Sequence, residues 1–81
     1  MAILRIQAVK TETGYPSHAS IYTNVKLGLF TVGVKIGQRS VGWPSQEVFA
    51  INAARIAGKS DDEIRQLVNR LHAKRQEPLA A

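Results

Sequence analysis

The sequence predicts a small α+β domain, in which two short helices precede a β-hairpin and two longer helices follow it. Three observations support this prediction. The chain has 81 residues, a length that suits a single domain. Two runs rich in valine and isoleucine flank a polar turn that begins with glycine, as in a hairpin. Near the C-terminus, apolar residues recur at i, i+3, i+4 and i+7, the spacing of an amphipathic helix.

The composition narrows the classes of function. A chain of this length buries roughly 60–65% of its unfolded surface, so a deep, enclosed substrate cavity is not expected. The chain has no cysteine, which excludes disulfides and thiolate metal sites. No apolar run approaches the ~20 residues that span a bilayer, and the N-terminus lacks a signal-peptide pattern. We therefore expect a cytoplasmic protein.

The N-terminal third predicts an edge strand and two short helices. Ile3 to Ile6 alternates apolar and charged residues, as a half-buried edge strand does. A short helix follows over Gln7–Thr13 and stops at Gly14. Ser17 can then cap a second helix that runs to Leu27. Two helices joined by a tight, glycine-containing turn form a helix-turn-helix arrangement.

The second helix has two chemically different faces. Ile21 and Val25 fall on the side expected to meet the core. The opposite side is small, polar and basic, as close approach to base edges and phosphates requires. Its residues are Ala19, Ser20, Thr23 and Lys26. Because a polar helix face is ordinarily just solvated, this feature alone does not identify a nucleic-acid surface.

A basic hairpin follows the second helix. Val32–Ile36 and Val41–Trp43 are its predicted strands, and Gly37–Ser40 is its turn. The exposed positions at or beside the turn are Lys35, Gln38, Arg39 and Ser40. Such a donor-rich tip can enter a minor groove or bind the phosphate backbone, although an ordinary polar turn is the alternative. A recognition helix followed by this hairpin is the order of a winged helix-turn-helix.

The C-terminal half predicts two more helices. Ser45–Ala57 is rich in alanine and ends before Gly58. Its expected packing groups are Val48, Phe49, Ile51 and Ile56. Ser60–Glu63 forms a capping box for the last helix, which runs to Lys74. The basic last turn, His72–Arg75, suits the helix dipole.

These elements divide the chain into three segments. Residues 1–58 are the predicted winged helix-turn-helix domain, 59–76 hold an amphipathic helix packed on or extending that domain, and 77–81 are expected to be a flexible tail. The amphipathic helix either covers the core or offers a surface to a partner. The apolar residues of that candidate surface are Ile64, Leu67, Val68 and Leu71.

The net charge of +5 is concentrated in the first half of the chain. Residues 1–43 contain five basic residues and one acid, Glu12, whereas residues 44–81 contain six basic residues and five acids. A surface nearly free of carboxylates attracts polyanions, so nucleic acid is the leading partner class. The alternative is a charged face that serves solubility alone.

The sequence shows no pattern of residues for catalysis or metal binding. His18 and His72 lie far apart, and neither has a second histidine three or four residues away. Paired histidines at that spacing would be needed for a helical metal site. Ser17 and Ser20 have no evident base to activate them. We therefore expect a protein that is not an enzyme and needs neither metal nor cofactor.

Residues in and around the hairpin resemble a known family. They are Ile21-Tyr22, Lys26, Gly28, Phe30, Val34-Lys35-Ile36-Gly37, Arg39, Val41-Gly42-Trp43 and Glu47-Val48. This set resembles the AlpA family of phage and prophage regulators, a compact winged helix-turn-helix similar to excisionases and to the MerR DNA-binding domain. The resemblance extends from about Leu4 to Arg55 and is most specific from Val34 to Trp43.

The resemblance implies a mode of DNA binding. The Ser17–Leu27 helix would enter the major groove, and the Gly37–Ser40 tip, with Gln38 and Ser40 beside Arg39, would contact the adjacent minor groove or its backbone. The residues that would neutralise phosphates are Lys26, Lys35 and Arg39. Those that would contact base edges are Ser17, His18, Ser20 and Thr23. Tyr22 would hydrogen-bond to a phosphate.

The expected function is sequence-specific binding of double-stranded DNA, either as a prophage-linked transcriptional regulator or as an excisionase that directs recombination. Such a small domain would be monomeric in isolation and would assemble cooperatively on adjacent sites. The alternative is a protein-interaction module of the same fold that inhibits a response regulator or recruits an integrase. RNA binding is disfavoured, because most of the aromatic residues are expected in the core.

Overall fold

The fold is described from a computed structural model over residues 2–76. Its elements in chain order are β1 (Ile3–Arg5), α1 (Ile6–Thr13), α2 (His18–Lys26), β2 (Val34–Lys35), β3 (Val41–Pro44), α3 (Ser45–Ile56) and α4 (Asp61–Lys74). This order confirms the predicted α+β class and the winged helix-turn-helix arrangement. The predicted tail, 77–81, lies outside the described residues.

The strands form one antiparallel sheet in the order β1-β3-β2. Leu4 of β1 pairs with Trp43 of β3, and Lys35 of β2 pairs with Val41. Strand β1 therefore lies at an edge, as its alternating sequence predicted. The central strand β3 pairs with β1 on one side and with β2 on the other. The β2–β3 hairpin, Val34–Pro44, is called the wing below.

The first strand of the wing is shorter than the sequence predicted. Instead of Val32–Ile36, only Val34 and Lys35 pair with β3. At one end, the backbone N–H and C=O of Val32 bond to side chains of His72, in α4, and Arg75, its C-cap, rather than to β3. At the other end, the N–H of Ile36 donates to the carbonyl of Ser40 at 2.9 Å and closes the turn. The first end of the strand is thus set by hydrogen bonds to side chains outside the sheet, and the second by an in-register bond that continues the β2–β3 pairing into the turn.

The core surrounds Trp43, which is fully buried. The buried apolar residues of the described chain are Val9, Ile21, Leu29, Phe30, Trp43, Val48, Ile51, Ile64 and Val68. Every helix contributes to this set, so α4 packs on the same core as the helix-turn-helix. Burial of these apolar groups is the main source of stability in a domain with such short elements.

The last helix begins at the predicted capping box. The backbone N–H of Glu63 donates to Ser60 Oγ at 3.2 Å, and Glu63 Oε1 accepts from the N–H of Ser60 at 3.0 Å. The backbone N–H of Ser60, and then its hydroxyl, hold the pKa of the Glu63 carboxyl below its usual value. Because the pKa is lowered, the contribution of this carboxylate to the stability of the fold persists into mildly acidic solution and is lost as the group protonates.

The structure corrects two predictions about apolar residues. Phe49 and Ile56 of α3 were expected to pack, but they are 51% and 87% exposed. They project from a different side of the helix than Val48 and Ile51, which fill the core. Ile64 and Val68 of α4 were assigned to a candidate partner surface, yet they are only 1% and 2% exposed. Because core packing occupies both side chains, they are not accessible to a partner.

The predicted members Leu67 and Leu71 lie beside Ile64 and Val68. Both are partly buried against the same core. The apolar stripe of α4 therefore covers the core along its length, which is the first of the two roles considered from the sequence.

Gly33 precedes the wing at a point where the backbone closely approaches the core. A Cβ added there would collide with Val41 Cγ1 and would lie 3.1 Å from Trp43 Cζ2. At Gly37, in the turn, the nearest atom to an added Cβ is Ser40 Cβ at 3.6 Å, an ordinary contact.

We expect Gly33→Ala to lower the free energy of unfolding by about 1–3 kcal/mol, since it overpacks a buried site. The melting temperature should fall by roughly 4–8 °C for each kcal/mol lost. Gly37→Ala is the matched control and should melt close to the parent in thermal unfolding followed by circular dichroism. Equal melting temperatures for the two variants would contradict the packing described for Gly33.

Candidate nucleic-acid interface

Both ends of α2 are fixed by local hydrogen bonds. Ser17 is the N-cap, and its Oγ accepts from the backbone N–H of Ser20 at 3.2 Å. At the other end, Gly28 adopts a φ of 77°, and the N–H of Leu29 donates to the carbonyl of Asn24 at 2.9 Å. A residue with positive φ after the last helical turn is the usual way to end a helix. The helix therefore occupies the span that the sequence predicted.

The outward side of α2 carries the predicted polar residues. His18, Tyr22 and Lys26 are exposed and follow one another at i+4 spacing, with exposed Thr23 in the adjacent row. Residues at this spacing lie one above the other on a helix. On the opposite side, Ile21 is completely buried. The structure thus places these four side chains on one continuous surface.

Ser17 and Ser20 have local roles as well. Their hydroxyls lie 3.1 Å apart, in addition to the capping bond from the Ser20 backbone. Asn24 Nδ2 donates to the Ser20 carbonyl at 2.8 Å. Ser17 is exposed and Ser20 is half-buried. Part of their hydrogen-bonding capacity is therefore used to hold the start of α2.

One polar residue beside this surface was not predicted. Gln7 is exposed in the first turn of α1, and its Oε1 lies 3.2 Å from His18 Nε2. The contact spans eleven residues of sequence and depends on how α1 packs against α2. No local pattern in the sequence signals it, because the pairing arises only in the folded domain.

Trp43 connects the outward side of α2 to the wing. The Tyr22 and Trp43 rings have centroids 6.2 Å apart. Within β3, Val41 and Trp43 lie on the same face of the sheet, and Lys35 lies opposite Val41 in the register. Directly opposed residues share a face. Lys35 therefore lies on the same face of the sheet as Trp43, against which Tyr22 packs.

The remaining predicted residues lie at the tip of the wing, beyond the last strand pair. Gln38 and Arg39 are exposed, and Ser40 is half-buried. The opposite face of the sheet is different. Ile3 and Ile36 cover Gly42 there, since a Cβ added to Gly42 would meet Ile3 Cγ2 and would lie 3.4 Å from Ile36 Cδ1. That face is mainly apolar, so the polar donors of the wing lie at its tip and on the Trp43 side.

The charges of the described chain are also segregated. Within residues 2–76, the ion pairs are Lys59–Glu63, Arg65–Asp62 and Arg75–Glu47, all after Trp43. Lys26, Lys35 and Arg39 form no ion pair with another residue of that range. From Gly14 to Gln46 the sequence contains no carboxylate side chain. Neighbouring acids therefore do not offset the cations of α2 and the wing.

Residues 2–76 contain no group of three or more His, Cys, Asp or Glu side chains that could hold a metal ion. None of the helices in the same range combines the length and the hydropathy of a membrane-spanning segment.

A helix-turn-helix with a β-hairpin beside its second helix defines the domain as a winged helix-turn-helix. Residues 2–50 match the family model described as Prophage CP4-57 regulatory protein (AlpA). The chain belongs to this family of prophage regulatory proteins, which confirms the resemblance found in the sequence. The match ends within α3 and does not include α4. No curated protein and no solved structure matches the chain.

Proposed function

We propose that this chain binds double-stranded DNA in a sequence-specific manner, with α2 in the major groove and the tip of the wing on the adjacent minor groove or its backbone. The observation that carries this proposal is the surface formed by α2 and the wing, whose cations have no carboxylate partner within residues 2–76. Membership of a prophage regulatory family supports the same function.

The residues of this surface have distinct roles in the proposal. Lys26, Lys35 and Arg39 neutralise phosphates, and Tyr22 donates its hydroxyl to a phosphate. Ser17, His18, Ser20 and Thr23 contact base edges or the sugars beside them. Gln38 and Ser40 supply further donors at the tip. Because one small domain buries a modest area, high affinity requires adjacent copies on neighbouring sites.

The biological output we propose is that of a prophage-linked transcriptional regulator or of an excisionase that directs site-specific recombination. Both outputs use the same contacts with DNA, so the first test concerns binding alone. Binding of the full chain to a duplex library would be measured at two salt concentrations, with an excess of nonspecific competitor. A preferred sequence with steep salt dependence is expected. Weak, sequence-independent binding would contradict the proposal.

Arg39 provides a test of the wing. We expect Arg39→Ala to weaken binding to every duplex and to reduce the slope of log K against log salt by roughly one unit, because one phosphate contact releases about one counterion. Arg55→Ala is the control, since Arg55 is an exposed cation in the last turn of α3. It removes the same charge and should leave the slope nearly unchanged. An unaltered slope in Arg39→Ala would remove Arg39 from the interface.

Ser17 allows the fold and the binding surface to be tested separately. Asp and Asn both cap helices well, and no acid occupies the first turn of α2. The variants Ser17→Asp and Ser17→Asn should therefore both keep the parental melting temperature. Ser17→Asp adds a negative charge where DNA is proposed to lie. Its affinity should fall at least ~5-fold, whereas Ser17→Asn changes the same side chain without adding charge and should lose less. Equal affinity of the two variants in fluorescence anisotropy would argue against contact at this end of α2.

A further inference from the structure

The connection between α2 and the wing, Leu27–Val32, is held by α4 at both of its ends. At the first end, Arg65 Nε donates to the carbonyl of Leu27 at 2.9 Å. The same side chain passes over Gly28, where an added Cβ would lie 3.5 Å from Arg65 Cγ. Arg65 is itself oriented by Asp62, whose Oδ1 accepts from Nη1 at 3.2 Å. The last turn of α2 is thus attached to α4.

At the second end, both polar groups of the Val32 backbone are bound by His72 of α4 and by Arg75, the residue that caps this helix. The N–H of Val32 donates to His72 Nε2 at 3.1 Å. The carbonyl of Val32 accepts from Arg75 Nη2 at 2.8 Å. Val32 is 51% exposed, so this attachment depends on its backbone rather than on burial of its side chain.

Arg75 is held in place by a buried carboxylate. Its Nε donates to Glu47 Oε2 at 2.7 Å, and its Nη2 contacts the other oxygen of the same group. Glu47 is only 5% exposed, and it lies in the first turn of α3, directly after the wing. A bidentate pair of this kind fixes the orientation of the guanidinium. The Val32 carbonyl is therefore bound by a donor with little freedom to move.

We propose that α4 positions the wing relative to α2, with His72 and Arg75 as positioning residues that act through the Val32 backbone. This inference rests on the proposed function, because it assigns α4 a part in DNA binding without any contact to DNA. If α2 and the wing bind neighbouring grooves, affinity is higher when their relative placement is fixed before binding. A preformed arrangement reduces the free energy lost to ordering on association.

His72 is the better position for a test. Arg75→Ala would leave Glu47 buried without its partner and would endanger the whole fold. His72→Leu removes only the acceptor for the Val32 N–H. His72→Gln is the conservative variant, since its Oε1 can accept from the same N–H. Asn69→Leu is the control for adding leucine to α4, because Asn69 is exposed on that helix.

The first measurement is amide hydrogen exchange in the free, full-length protein, which does not depend on DNA. In His72→Leu, the amide of Val32 should exchange about 3- to 10-fold faster, the effect of losing one hydrogen bond. Amides in the middle of α1 and α2 should be unchanged, and both His72→Gln and Asn69→Leu should match the parent. Unchanged exchange at Val32, or equal acceleration at every amide, would overturn the proposal.

The second measurement is a double-mutant cycle for DNA affinity. If His72 acts through the wing, His72→Leu should weaken binding about 3- to 10-fold, and Arg39→Ala should cost less in that background than in the parent. The cycle of His72→Leu with Thr23→Ala, on α2, should be additive within about 2-fold. Additivity in the Arg39 cycle would overturn the positioning role.

The two measurements separate the two proposals. If the parent protein binds no DNA, the proposed function fails, and local acceleration of exchange at Val32 would still support the attachment of the wing to α4. If the parent binds DNA but exchange at Val32 is unaffected by His72→Leu, the positioning role fails and the proposed function remains.

Discussion

The rest of the structure depends on the contacts that the buried Trp43 side chain makes. Its indole N–H donates to the carbonyl of Thr31 at 2.7 Å, which ties the chain before the wing to β3. The Phe30 and Tyr22 rings pack near it, with centroids 6.3 and 6.2 Å away. One buried residue thus joins the sheet, α2 and the connection between them. A buried indole needs such a partner for its N–H. The position of the Thr31 carbonyl and the orientation of the Trp43 ring are therefore coupled through this hydrogen bond.

The sequence predicted best those features that local chemistry controls. Ser17 and the Ser60–Glu63 box begin helices, and Gly28 ends one, because capping bonds join residues close in sequence. Most of the proposed interface lies on such locally determined elements, so its residues could be proposed from the sequence, and their contacts with DNA remain a prediction. The attachment of Val32 to α4 could not be predicted, since it links residues 40 or more positions apart. It also shortened the predicted strand.

Phe49 and Ile56 show a second limit of sequence reasoning. Apolar side chains on a helix suggest packing, but the direction of α3 relative to the sheet decides which side is covered. That direction is set by Pro44, where β3 passes directly into α3, and by the hydrogen bond from the N–H of Ser45 to the carbonyl of Ala2 at 2.7 Å. With Val48 and Ile51 turned toward Trp43, the Phe49 side of the helix remains in solvent.

The shortness of the N-terminal elements explains why α4 belongs to the same structural unit. Helices α1 and α2 have 8 and 9 residues, and β2 has only two. Segments this short do not persist in water without tertiary contacts. Ile64 and Val68 supply part of the core that α1, α2 and the sheet share. Removing α4 would therefore unfold the helix-turn-helix rather than isolate it, and the contributions of α4 must be measured by single substitutions in the full chain.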